Sequence, residues 1–181
     1  MSILNIGGVA VSFKVSWKIH ILCFFIAYIF CLIEQKFILN LFVGLLLQNT
    51  RIEFTGNMRM DLSIFLFIIF IPITFVHELL HGIVYMMFGG KVRYGFKVIY
   101  VYAQEISDIE LHRTKFLLVL LAPLTIISLC SAFMPKNIGG IVFLLNLLGS
   151  TGDILMALYL CKSNVNSYVV DRIYGFDVID K

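Results

Sequence analysis

The chain has 181 residues, 60% of them hydrophobic and only 14% charged, with a formal net charge of +3. That balance is too apolar for a soluble domain of this length and fits one domain that passes several times through a lipid bilayer. The lysines and arginines are dispersed rather than gathered into a patch, which excludes a nucleic-acid partner. The four cysteines, Cys23, Cys31, Cys130 and Cys161, lie in or beside apolar runs without C-x-x-C spacing and read as small apolar side chains.

In chain order, Lys14, Trp17 and Lys18 precede the first apolar run and suit an anchor at the membrane interface. The run starts too late, and exits without an A-x-A pattern, for a cleavable signal peptide. A first span is expected over about 19–33. Glu34, Gln35 and Lys36 interrupt it, and the apolar piece 37–47 is too short to cross unaided. That piece is expected either to continue a long tilted helix or to lie at the interface. Residues 48–61 are polar and read as a loop. The second span, 62–88, contains Pro72 and ends at Gly89-Gly90. From 91 to 103 the pattern changes to alternation: Val92, Tyr94, Phe96, Val98, Tyr100 and Tyr102 share one parity, and Lys91, Arg93 and Lys97 the other. Period two with β-branched and aromatic residues predicts a strand, or a hairpin turning near Gly95. A charged connector (105–115), a third span (116–133, containing Pro123) and a fourth (138–161) follow, and the polar tail, 162–181, is expected to hold little structure.

The expected fold is therefore an all-α multi-spanning membrane protein of about four transmembrane helices, with a short strand or hairpin between spans two and three. Of the 14 lysines and arginines, ten fall in the N-terminal segment, the 89–115 loop and the tail. The positive-inside rule then puts both termini and that loop in the cytoplasm.

The chemistry is concentrated in His77-Glu78-Leu79-Leu80-His81. Residues i and i+4 share a helix face, so His77 and His81 can point two imidazoles at one metal ion, and Glu78 can reach a water at the open coordination position. Two histidines and a glutamate inside an apolar span are costly without a role. Pro72, five residues ahead, removes a backbone donor; beyond mere tolerance, its functional reading is to let water or substrate backbone approach the metal. A third protein ligand is required. Besides Glu78, Asp153 is the one acidic residue well inside an apolar span. His81 lies roughly 10 Å from the cytoplasmic end of its helix, and Asp153 roughly 12 Å from the same end of a parallel helix, so the depths agree. Asn146, Gly149, Ser150 and Asp153 recur at i, i+3, i+4 and i+7, a face of small residues suited to close helix approach. Asn146 on that face can orient a substrate carbonyl or donate to an oxyanion. His20 and His112 have no helical partner and stay outside the site.

The segments H-E-L-L-H-G (77–82), F-G-G-K-V-R-Y-G-F (88–96), L-L-A-P-L (120–124) and N-L-L-G-S-T-G-D-I-L-M-A-L-Y-L (146–160) together resemble the membrane zincin peptidases, a bacterial and archaeal family related to the site-2 proteases. The resemblance covers roughly residues 60–180. It implies an intramembrane zinc metalloprotease with one Zn2+ per chain, His77, His81 and Asp153 as ligands, Glu78 as general base, and a site reached from the cytoplasmic side. The implied partners are the bilayer and a membrane protein or peptide substrate. The chain departs from the site-2 pattern in having no proline between Asn146 and Asp153, and Ile154 where that pattern has glycine. An unwound substrate would be held extended by strand addition to the segment 92–102. The rival reading is a catalytically silent membrane metal-binding or scaffold protein. A transporter is disfavoured because the span halves remote from the motif are almost purely apolar. Two histidines and a carboxylate also suit Fe(II) or Mn.

Overall fold

The structure is a computed structural model that describes residues 9–47, 54–97 and 100–180. The helix that carries the motif dominates it: α3, Met58–Met87, is 30 residues long. At 1.5 Å per residue it extends about 45 Å, more than a bilayer core. Asn57 starts it by accepting from the main-chain N–H groups of Arg59 and Met60, and Asp61 in the first turn ties back to Thr55. Gly89 ends it with φ at 87°, a left-handed conformation that costs glycine no Cβ clash. The other long apolar helix is α4, Arg113–Ser131. Both are long and apolar enough to cross a membrane, and the number of crossings reaches four if each of two bent helix pairs is one span.

Those bent pairs replace the straight first and fourth spans of the sequence reading. Helix α1 (Trp17–Ile33) and helix α2 (Gln35–Leu47) meet at Glu34 with a 73° bend, so the piece up to 47 does not continue the first helix. Helix α5 (Lys136–Gly149) and helix α6 (Thr151–Leu160) meet at Ser150 with a 50° bend. A Cβ added at Gly149 or Gly152 would meet open space, so the bend does not depend on the missing side chains of these glycines. Helix α1 buries no side chain, with Trp17 and Phe24 each 76% exposed. Phe67, Ile71 and Phe75 line an equally bare face of α3. Such surfaces suit hydrocarbon and not water.

The expected strand segment is an antiparallel hairpin of β2 (Val92–Lys97) and β3 (Tyr100–Glu105). Pairing continues past Gly95 to Lys97 and Tyr100, so the hairpin does not turn at Gly95; residues 98–99 lie outside the described residues. Gly95 sits mid-strand, opposite Tyr102, where the Tyr102 ring fills the space a Cβ would need. The strand also runs on to Glu105, into what reads from sequence as a charged connector.

The sequence reading missed a four-stranded antiparallel sheet in the order β1-β6-β5-β4, built from Val9–Lys14 (β1), Leu111–His112 (β4), Tyr168–Arg172 (β5) and Gly175–Ile179 (β6). The tail is therefore ordered, and the all-α assignment needs this addition. Val169 and Phe176 are fully buried against α4 and α6. The Phe176 ring lies 5.3 Å from both Phe13 and Phe116, centre to centre. Asp177 stitches the sheet: it accepts from Ser12 (2.6 Å), Arg172 Nε (3.1 Å) and Tyr174 (2.8 Å). Burial opposes its charge, but these bonds together hold its carboxyl below the usual range. Because β1, β4 and the β5–β6 hairpin form one sheet, the N-terminal strand, the entry to α4 and the tail lie together at one end of the helices.

The sheet joins the motif helix through Asp171. Its carboxylate accepts from the Tyr85 hydroxyl of α3 and from the main-chain N–H groups of Glu105 and Arg172. Burial outweighs these bonds and pushes the carboxyl up to about 6. The folded protein thus binds this proton more tightly than the unfolded chain does. Stability should therefore fall by about 3 kcal/mol from this group as pH rises between about 4 and 6, and stay level above. Thermal unfolding of detergent-solubilised protein across that range should show the descent, and Asp171→Asn should flatten its contribution.

Candidate metal centre

Three elements bring the site together. His77 and His81 project from successive turns of α3, their rings 4.9 Å apart and nearly perpendicular. Asp153 comes from the first turn of α6, just past the bend at Ser150. Its Oδ2 lies 3.0 Å from His77 Nε2 and 3.6 Å from His81 Nε2. One ligand atom from each residue falls within 4.8 Å of the other two. The His77 and Asp153 side chains are only 11% and 14% exposed, so the centre is nearly closed to solvent.

The donor set can be tested against a tetrahedral zinc ion. Ligand bonds of 2.0–2.1 Å place neighbouring ligand atoms about 3.3 Å apart, and the two distances to Asp153 bracket that value. The outward ring nitrogens give a second test. His77 Nδ1 lies 3.3 Å from the Asn146 side-chain oxygen, and His81 Nδ1 lies 2.8 Å from the Val119 carbonyl oxygen. Each Nδ1 faces an acceptor and would carry the proton with a metal ion at Nε2, the ring nitrogen on the Asp153 side. Imidazole ligands of metals are held in this way. Two neutral imidazoles and one carboxylate, with a fourth position left over, fit zinc.

Asn146 stands behind His77 and not beside a substrate. It is 1% exposed. Its amide nitrogen donates to the Pro123 and Leu124 carbonyls, both at 3.4 Å, which turns its oxygen toward His77. With both ends of the amide engaged, no group remains for a substrate carbonyl or an oxyanion.

Glu78, next to His77 on the same turn of α3, also reaches the hairpin: its Oε2 accepts from the main-chain N–H of Ala103 at 2.9 Å. Within the hairpin, Ile106 N–H reaches Lys91 O at 2.8 Å, so even-numbered residues of β3 face β2 and odd-numbered ones face outward. The outer edge of β3 therefore lies along the site, with Ala103 on Glu78 and Glu105 on Asp171. A second contact seats the hairpin. The Tyr94 hydroxyl donates to the Leu79 carbonyl at 3.3 Å and fills the notch left by Gly82, where any side chain would collide with the phenol.

The profile of a protein family described as putative zincin peptidase matches residues 61–168, which includes the motif helix, the hairpin, α4, α5 and α6. The chain belongs to this family. No curated protein and no solved structure matches it. Membership in a zincin family implies zinc, and the donor set of the previous paragraphs fits that ion on its own geometry.

The sequence reading missed the Val119 carbonyl, the Ala103 amide, and the Tyr94–Gly82 pair. The first two are main-chain groups, which no side-chain pattern marks. Gly82, directly after the second histidine in the middle of a helix, is the visible signal of the third. His112 caps α4, its Nδ1 accepting from Thr114 N–H, and takes no part in the centre. All four cysteines are free.

Gly82→Ala should unseat the hairpin. Hydrogen exchange should rise by about tenfold or more across 92–97 and 100–105, while the helices keep their protection; unchanged exchange would show that the notch does not hold the hairpin.

Proposed function

We propose that this chain is an intramembrane zinc metalloprotease that hydrolyses peptide bonds of membrane-associated substrates. The observation that carries the proposal is the meeting of His77, His81 and Asp153 around one point, with Glu78 on the adjoining turn of the same helix. His77, His81 and Asp153 would hold one zinc ion. Bound there, zinc supplies a Lewis acid for the scissile carbonyl and lowers the pKa of water to about 7. Glu78 removes a proton from the attacking water and delivers it to the leaving amine. Asn146 and Val119 keep the two imidazoles in the ligating tautomer. The bare apolar faces of α1 and α3 support a site inside the membrane, and the resemblance to the site-2 proteases supports the same reading. The positive-inside bias opens the site to the cytoplasm, the side that holds the sheet and both termini.

A peptide bond in a helix is shielded by its own hydrogen bonds, so a transmembrane substrate must be extended before attack. Addition as a strand to the hairpin segment 92–102 would hold it extended beside Glu78. Proline at position 103 removes the N–H from which Glu78 accepts, without taking a rung from the β2–β3 ladder. Ala103→Pro should therefore depress cleavage and leave zinc binding intact; full activity in that variant would show that the Ala103 amide does not position the base.

The test of the function itself is metal content of detergent-purified protein, with cleavage of a generic membrane peptide scored in the same samples. Wild type and Glu78→Gln should each carry close to one zinc per chain, and Asp153→Ala should lose it. Only wild type should cleave, with Glu78→Gln down by ~100-fold or more. Stoichiometric zinc with equal behaviour of wild type and Glu78→Gln would instead identify a silent metal-binding scaffold.

A further inference from the structure

Helix α4 contributes no ligand, yet both histidines are held from it. Its one irregularity is Pro123, which is fully buried in the middle of the helix. In a regular α-helix the carbonyl of residue i accepts the N–H of residue i+4. The partner of the Val119 carbonyl would be the amide of residue 123, and proline has none. The proline ring also crowds the carbonyl four residues back and tilts it away from the helix axis. The Val119 oxygen is thus an acceptor without its helical donor, in a residue only 1% exposed. Left unpaired there it would be costly, since neither water nor a helical amide reaches it. It is paired instead with His81 Nδ1, at 2.8 Å. The same turn holds the other histidine at one remove: the Pro123 and Leu124 carbonyls fix Asn146, and Asn146 faces His77 Nδ1.

We propose that Pro123 is a positioning residue of the metal centre: by withholding one main-chain amide it frees the Val119 carbonyl to hold His81 in the tautomer that ligates through Nε2. The proposal rests on the metal-centre reading of His81 and is independent of whether the centre hydrolyses peptides. It also explains a proline at this point of L-L-A-P-L better than tolerance alone, since tolerance requires no donor on the neighbouring helix to meet the freed carbonyl.

The experiment is Pro123→Ala in the full chain, which restores the missing amide with little change of volume. Two quantities are read in detergent: zinc affinity by competition with a chelator, and solvent exchange of the two Nδ1–H protons in zinc-loaded, 15N-histidine-labelled protein. In wild type both protons should exchange slowly. In Pro123→Ala zinc should bind ~10–100-fold more weakly, the cost typical of losing a partner behind a ligand. The His81 proton should exchange faster, while the His77 proton, held by Asn146, keeps its rate. Zinc affinity within roughly twofold of wild type overturns the proposal. So does a His81 bound to zinc through Nδ1 in wild type, a result that needs no variant to fold. Tight zinc and both slow protons in a wild type that cleaves nothing would remove the peptidase reading alone and leave this assignment standing.

Discussion

A carboxylate and two imidazoles sharing one nearly dry point is the constraint on which the rest of this molecule depends. Asp153 is placed between helices whose outer faces are apolar, where an unpaired charge is costly. Its oxygen sits at 3.0 and 3.6 Å from two ring nitrogens. Keeping it there requires α6 to turn toward α3, and the 50° bend at Ser150 is the point at which the chain does so. It also requires each imidazole to present the correct nitrogen, which brings in Asn146 and the Val119 carbonyl. The long helix, the broken helix and the proline-bearing helix are thus three parts of one electrostatic arrangement.

The hairpin and the sheet answer to the same centre from the other side. Glu78 lies between the two, its carboxylate accepting from the Ala103 amide on the edge of β3. The hairpin is in turn fixed at two places, by Tyr94 in the Gly82 notch and by the Glu105 amide on Asp171. Asp171 belongs to the sheet that unites both ends of the chain. A continuous set of contacts therefore runs from the terminal strands to the motif helix. The family match ends at residue 168, where β5 begins, so most of the terminal sheet lies beyond it.

Much of the site was legible because its residues break the local rule. Histidines, a glutamate and an aspartate inside apolar runs have few explanations, and the i, i+4 spacing names a shared helix face. The hairpin was legible from its parity, although its turn was placed at Gly95 when that glycine instead makes room for Tyr102. The tail was not legible. Tyr168, Val169, Val170, Phe176, Val178 and Ile179 are β-forming residues on either side of Gly175, but two such short runs do not say what they pair with or cover. They become strands because α4 and α6 offer a surface to cover, and because β1, 165 residues from Asp177 in the case of Ser12, returns to complete the sheet. Asn146 was found on its helix face, but what its amide meets there was not legible, since that depends on the element behind it.

The sequence by itself determined the apolar class of the chain, the motif helix, the alternating pattern of the hairpin strands and the identity of the three residues that meet. These follow from composition, period and the cost of charge in hydrocarbon, all local properties of the chain. Tertiary structure alone decided where the helices break, that the ends of the chain form a sheet, and which main-chain groups serve the centre. A carbonyl or amide is the same in every residue; only the fold decides which of them is left without its regular partner and what lies within 3 Å of it.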